Sequence, residues 1–267
     1  MKTSATICLR VLLAAMLSVT VLGPTLWAQT TPSAKKPDSP APSNDGWHVD
    51  VIPYLWFAGV RGSAGINGHE VNVDATPGDV LDYLNLGAMA AVETRYNRFL
   101  IPMDFVWVKL TDKKAFSFDQ GATNAKVEFK ETIFTPGVGY RLVDKEKLIV
   151  DSRFGIRYWH LSNSFTITGP VVNNGISGTA DWVDAVAGGK IRLAVTPKVF
   201  VGIFGDAGGG GARSDWEAGG VLGMRIAKKW TVQGGYRYMS VNYRPQSGFV
   251  YDVNQSGIII GATWSVK

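Results

Sequence analysis

The property of this chain that most restricts its fold is a two-residue alternation of apolar and polar side chains, sustained over long runs. In residues 148–159, Leu148, Val150, Phe154, Ile156 and Tyr158 share one parity, broken only by Ser152, while Asp151, Arg153, Gly155, Arg157 and Trp159 occupy the other. Successive residues of a strand point to opposite faces, so such a run encodes a β-strand with one apolar and one charged face. The same split recurs in 99–108, with Phe99, Ile101, Met103, Phe105 and Trp107 set against Asp104. It recurs in 183–195, where Val183, Ala185, Ala187, Ile191, Leu193 and Val195 oppose Asp184, Lys190 and Arg192, and again in 216–226, 230–238 and 256–266.

Alternation fits a soluble sandwich, with the apolar face inward, as well as a membrane barrel, with the apolar face toward lipid. Three further features favour the barrel. Most runs exceed ten residues, longer than ordinary globular strands and suited to a tilted membrane crossing. Short connections at 96–98, 142–147, 196–198 and 227–229 alternate with longer ones at 66–85, 111–125, 161–180, 208–214 and 241–253. Aromatic residues also gather in two sets resembling interfacial girdles. Trp47, Tyr96, Phe99, Tyr140, Trp230 and Trp264 fall at the short-turn end, and Trp56, Trp107, Tyr158, Trp182, Trp216 and Tyr238 toward the other.

The expectation is an all-β fold, a closed antiparallel transmembrane barrel of about ten strands, with eight or twelve following from a miscount by two. The strands are placed near 47–65, 86–96, 99–110, 126–141, 147–161, 180–195, 198–207, 214–226, 230–241 and 253–266. The fourth carries Pro136 on its lipid-side parity, and the seventh ends in the glycine run 208–211. An even count puts both termini on the periplasmic side.

The N-terminus reads as an export signal. After Arg10 comes the apolar run VLLAAMLSVTVLGPTLWA, which predicts a signal peptide over 1–28. Residues 29–45, QTTPSAKKPDSPAPSND, read as a flexible periplasmic segment, and 46–267 as the barrel. The sole cysteine, Cys8, lies inside the signal, so no disulfide, thiolate or cysteine-based metal site is expected afterwards. Removing Lys2 and Arg10 from the 27 basic residues leaves 25 against 22 acidic ones, a balance that does not suggest nucleic acid.

Three stretches carry a resemblance. Pro53-Tyr54-Leu55-Trp56, Val80-Leu81-Asp82-Tyr83-Leu84 and Arg157-Tyr158-Trp159 are similar to motifs of a poorly characterised family of Gram-negative outer-membrane β-barrel proteins. The resemblance implies an integral outer-membrane location and almost no chemistry. It also implies outer-membrane lipids, lipopolysaccharide and the barrel-assembly machinery as partners. Such barrels usually end in an aromatic residue that the machinery reads, whereas this chain ends Trp264-Ser265-Val266-Lys267. Either Trp264 serves instead, or assembly is less efficient.

Parity assigns the charges of the lumen. Asp50, Glu93, Asp104, Glu131, Asp151, Asp184, Asp206 and Glu217 face Arg95, Arg141, Arg153, Arg157, Lys190, Arg192, Arg225 and Arg237. A selective pore carries an excess of one sign, whereas eight acids and eight bases can pair across a narrow lumen. The expected function is therefore structural, or that of a narrow or occluded channel for small solutes, without enzymatic activity, cofactor or metal. The competing interpretation is that these charges are simply solvated.

Two local features complete the reading. Thr76-Pro77-Gly78 before Val80, Leu81 and Leu84 predicts a short amphipathic helix, a plug or a loop cap. His69 in the same loop reads as a solvated residue. In RYWHLSNS, His160 and Ser162 resemble the His-x-Ser-Asn of outer-membrane lipid A deacylases, in which the histidine is base and the serine nucleophile. An orienting acid is missing nearby, and Asp181 could supply it only from the next strand. Lipid hydrolysis through His160, Ser162 and Asp181 is the alternative function, and surface binding through the long loops a second alternative.

Overall fold

A computed structural model describes residues 46–66, 69–118, 121–168 and 173–266. The expected signal peptide and N-terminal segment lie outside the described residues. The elements are β1 (Trp47–Ile66), β2 (His69–Ala75), α1 (Pro77–Tyr83), β3 (Leu84–Tyr96), β4 (Phe99–Phe118), β5 (Gly121–Asp144), β6 (Leu148–Thr168), β7 (Asn173–Ala194), β8 (Val199–Gly210), β9 (Ser214–Arg225), β10 (Trp230–Tyr243) and β11 (Val250–Ser265). From β3 to β11 each strand pairs antiparallel with the next. β3 also pairs with β1, and β11 returns to β1, closing a barrel of ten strands. β2 is an eleventh strand, added beside the far end of β1 through pairs from Val60↔Ala75 to Ile66↔His69.

Exposure separates this object from a soluble sandwich. Phe154 and Ile156 are 63% and 52% exposed, whereas Arg157 and Asp184, on the opposite face of the same strand pair, are 0% exposed. Apolar side chains thus line the outside and charges the inside, the arrangement of a barrel in lipid. At the short-turn end the exposed rings meet in pairs: Trp47 with Tyr96, Phe99 with Tyr140, and Trp230 with Trp264. Two aromatics expected at the opposite girdle turn inward instead. Trp56 and Trp182 are buried in the lumen, because both lie on the parity of the charged residues.

The tight turns follow from local chemistry. Tyr96 pairs with Phe99 across a two-residue turn in which Asn97 adopts φ 53°, a left-handed conformation that asparagine tolerates. At 196–198 the Thr196 hydroxyl accepts the amide of Val199 at 3.0 Å. At the other end the strands outrun expectation. β4 and β5 continue to Phe118 and Gly121, and β6 and β7 to Thr168 and Asn173, so the loops expected at 111–125 and 161–180 are largely strand. β8 likewise runs through its glycines to Gly210.

In the 66–85 stretch, expected as one loop, β2 precedes the helix. Alternation of Val71 and Val73 with Glu70, Asn72 and Asp74 gives it strand character. The helix itself begins as its sequence requires, with Thr76 as N-cap, Pro77 at the first position and a reciprocal Thr76–Asp79 capping box. β2 is tied across the mouth of the barrel by Arg244, which donates to both Glu70 carboxylate oxygens at 3.0 and 3.1 Å and to Asp252 at 3.1 Å. The Arg244 hydrogen bonds, with a smaller contribution from Ser63, hold the Glu70 carboxyl below its ordinary value.

Closure of the barrel along the β1–β11 seam brings backbones close at several glycines, and at Gly62 the backbone is also positive in φ. Gly62 has φ +143°, and a Cβ there would sit 2.1 Å from the Asp252 carbonyl oxygen. Gly62→Ala is expected to destabilise the refolded barrel by about 1–3 kcal/mol, read as a lower temperature for the heat-induced shift in gel migration. Gly78→Ala, where the nearest atom lies at 3.6 Å, is the control expected to leave it unchanged. Because the folded-state pKa of Glu70 is depressed, the Arg244 tie is present at neutral pH and lost as pH falls through that lowered value. Amide exchange of β2, corrected for intrinsic rate, should lose protection only once the pH falls below the ordinary carboxylate range, and Arg244→Gln should lack that protection already at pH 7.

Candidate functional site

The charged parities of the strands converge in the lumen, which is filled in layers. Nearest the short turns is a cavity of about 530 Å³ lined by Asp50, Glu93, Arg95, Arg141, Asp151, Lys190, Arg192 and Arg225. Here Arg141 makes a forked contact to Asp151, its partner in the β5–β6 register, at 2.8 and 3.2 Å. Lys190 reaches Glu93 across the barrel. Ser265 donates to Asp50 at 2.6 Å, and the Arg95 guanidinium to the Asn97 carbonyl at 2.7 Å. Arg192 lies over the Phe200 ring at 3.8 Å. Among the described residues neither Arg192 nor Arg225 contacts a carboxylate, so this cavity is predominantly basic.

Above it sits a buried ion network. Arg157, from β6, places one guanidinium nitrogen 2.6 Å from Asp215 and another 2.8 Å from Asp206 and 3.3 Å from Glu217. Arg153 contacts Asp206 and Glu217 from the same strand. Arg237, from β10, bonds Glu217 at 2.8 Å, Asp104 at 3.0 Å and the Tyr54 hydroxyl at 3.0 Å, while Tyr54 donates to Asp104 at 2.7 Å. Three guanidinium groups and four carboxylates from β4, β6, β8, β9 and β10 thereby cross the lumen. Planar guanidinium forks suit this bridging because each can serve two carboxylates at once.

Beyond the network the lumen turns aromatic. Trp159 and Trp182 stack at 5.4 Å, and Trp182 stacks on Tyr243 at 4.0 Å. Their indole N–H groups point back to the acids, Trp159 to Asp215 at 2.8 Å and Trp182 to Asp184 at 2.9 Å. Asp184 also accepts the Ala212 amide at 2.7 Å. Glu131 has no cation partner among the described residues and accepts instead from Tyr251 at 2.6 Å and Gln255 at 2.7 Å.

All sixteen charges assigned to the lumen by parity lie on its lining, yet they do not form eight pairs. Carboxylates crowd the middle, and the arginines without a carboxylate partner among the described residues collect at the short-turn end. Asp215 is a ninth acid that the sequence reading omitted. It shares parity with Glu217, the signal that could have found it, but stands second in its strand, beside the expected loop. Tyr54, Trp159 and Trp182, which hold the network's hydroxyl and indole contacts, were also not identified as site residues.

The second candidate lies outside the barrel wall. His160 and Asp181 are direct partners in the β6–β7 register, and His160 Nδ1 stands 2.8 Å from an Asp181 oxygen. The same oxygen accepts the Tyr158 hydroxyl at 2.6 Å. Ser162 pairs with Thr179 on one side and Lys130 on the other, and makes no hydrogen bond to His160 among the described residues. Base and acid are therefore assembled, while the hydroxyl is two residues along the strand, about 6.6 Å by strand rise. The side chain of His69 lies outside the described residues. Among those described, no cluster of histidine, cysteine, aspartate and glutamate could hold a metal ion.

No protein-family model matches the chain, and no curated protein sequence matches it. Solved structures do. The outer membrane protease OmpT from Escherichia coli is similar over 82% of this chain and 96% of its own, with a TM-score of 0.55 and 8% identity. Ail, the attachment invasion locus protein of Yersinia pestis, matches over 83% and 99%, with a TM-score of 0.38 and 13% identity. Neisserial surface protein A matches over 82% and 96%, with a TM-score of 0.32 and 13% identity. At such identities the likeness concerns architecture alone: the chain folds as an antiparallel β-barrel of the outer-membrane type.

Proposed function

We propose that this chain is an integral outer-membrane barrel, with both termini periplasmic, whose lumen is held shut by its own charges. It acts as a structural element of the membrane, or as a narrow passage that conducts small solutes only when the network parts. The observation that carries this reading is the Arg157 side chain, wholly buried and bridging Asp206 and Asp215 across the lumen. Outer-membrane lipids, lipopolysaccharide and the assembly machinery are its expected partners, and membership of the barrel family resembled by the PYLW and RYW stretches is part of the same proposal.

A second reading is supported by the His160–Asp181 contact at 2.8 Å. An acid that orients a histidine beside a serine is the arrangement of nucleophilic hydrolysis. Its position on the lipid-facing parity suits an acyl ester of a membrane lipid as substrate. Rotation of the Ser162 hydroxyl toward the ring on substrate binding is what this chemistry requires.

In a planar bilayer the wild type is expected to give no current or only small discrete steps. Removing one partner of a buried charge network costs about 3–5 kcal/mol, so Arg157→Ala should both destabilise the barrel and enlarge the steps. A folded variant with Arg157→Met, Asp206→Asn and Asp215→Asn, which leaves fewer buried charges unpaired, should regain stability and keep the larger steps. Large steady currents from the wild type would contradict the closed lumen. For the second reading, lipid A from cells making the wild type should lose an acyl chain by mass spectrometry. Ser162→Ala should abolish the loss, and Asp181→Asn should slow it by about 100-fold or more. Unchanged lipid A with a folded wild type would remove that reading.

A further inference from the structure

The wall of the barrel is not strand-paired all the way around. β1 pairs with β3 only over Trp47–Pro53, and with β2 only from Val60 onward. Residues 54–59 therefore pair with β11 on one side and face no strand on the other. Across this gap, residues 84–89 of β3 pair with β4 alone. The Trp56 amide accordingly donates to the Met89 sulfur, at 3.2 Å, instead of to a β3 carbonyl. In hydrocarbon an open strand edge persists only where protein covers it or where it lines a water-filled cavity.

The first condition is met here. α1 covers the gap, with its first residue seated on β1: a Cβ on Gly59 would stand 2.8 Å from the Ala75 carbonyl and 2.9 Å from Pro77 Cδ. The helix buries no residue, leaves Leu81 and Tyr83 exposed, and directs its Thr76 and Asp79 side chains to each other. Behind it lies a cavity of about 300 Å³, at the small end of the range for ligand pockets. Its lining includes Val60 and Ala64 of β1, Val73 of β2, Val80 of α1, Phe129 of β5 and Val253 of β11. Apolar cavities stay dry and take apolar guests.

The exceptions in the lining define the guest's polar end. Asn163 lines the cavity, and its amide oxygen is buried without a hydrogen-bond partner among the described residues. Glu128 is engaged by Lys109, Lys126 and Lys130. The free Asn163 amide oxygen, beside the Ser164 hydroxyl and a Tyr251 whose own hydroxyl already serves Glu131, suits a single aliphatic chain with a small uncharged headgroup, and no described residue of the lining is a cation for a charged one.

We propose that this cavity binds one single-chain amphiphile, a fatty alcohol or protonated fatty acid, which enters from the bilayer through the gap covered by α1. The binding is independent of whether the ion network conducts or His160 is catalytic, and it takes from the preceding reading only that the barrel lies in a membrane. Val80 is the residue that must move, since it belongs to the cover and to the lining at once.

The test uses the mature barrel in phospholipid vesicles and decan-1-ol carrying a diazirine at its far end as the probe. On irradiation, label is expected on peptides containing Val60, Ala64, Phe129 and Val253, saturating with concentration and competed by unlabelled decan-1-ol. Ala64→Trp, which fills the chamber, should cut that labelling by about tenfold while the heat-modifiable gel shift confirms a folded barrel. Should Ala64→Trp fail to fold, Val253→Phe is read in its place. Leu81→Asp, which puts a charge on the exposed face of the cover, should slow labelling without lowering its plateau. Label confined to lipid-facing residues such as Phe154 and Ile156, or unmoved by competition or by the filling variant, would overturn the site. An unchanged rate in Leu81→Asp would overturn the route.

Discussion

The rest of this molecule is organised around the buried guanidinium of Arg157. Taking an isolated charge out of water is so costly that it persists only with partners. Here Asp206 and Asp215 come from neighbouring strands, β8 and β9, two and three strands away from Arg157 around the wall. Those acids can meet the arginine only if the sheet curls into a narrow closed barrel. The network thus fits one strand number and one register, and a slip of a single residue in β6 would send Arg157 to lipid and Ile156 to the lumen. Arg153 and Arg237 extend the same logic along and across the lumen, sharing Glu217 between them.

Charge is also distributed along the axis. Carboxylates dominate the middle of the lumen, with Glu131 and Asp184 held by hydroxyl, amide and indole donors in place of cations. Among the described residues Arg192 and Arg225 stand free of carboxylates in the cavity at the short-turn end. A lumen with this sequence of fields would admit a mobile ion only by displacing one of its own arginines. The proposed closed lumen differs in this from that of a porin, whose wide lumen is filled with water.

Much of this was legible because the strand period is two and the bilayer imposes a sharp contrast between faces. Strand number, the closed topology, the sixteen lumen charges and the Thr76–Pro77 start of α1 all follow from local pattern. What escaped did so for physical reasons. Beyond the apolar belt both faces of a strand meet water, so the alternation fades, and the extensions of β4 to β7 looked like loops rich in Thr, Asn, Ser and Lys. Trp56 and Trp182 were assigned to the girdle because an indole satisfies itself at an interface or against a buried acceptor, and Trp182 finds the carboxylate of Asp184 inside. Asp181 was named as a remote option for His160, since cross-strand register is invisible to residue spacing. The break between β1 and β3 left no mark at all: Tyr54 to Gly59 are apolar or aromatic on both parities, so their pattern shows neither a face nor a missing partner.

If the lumen is closed at Arg157, a thiol below the network and one above it must see different sides of the membrane. The direct measurement is modification of single cysteines by a charged, membrane-impermeant thiol reagent in oriented proteoliposomes. Thr231→Cys lines the basic cavity below the network, and Ala212→Cys lies above it among the aromatic layer. With the lumen closed, Thr231→Cys should react only with reagent on the short-turn side, and any reaction of Ala212→Cys should come only from the opposite side. Equal rates for Thr231→Cys from both sides would mean a continuous aqueous pore, and would contradict the closed ion network.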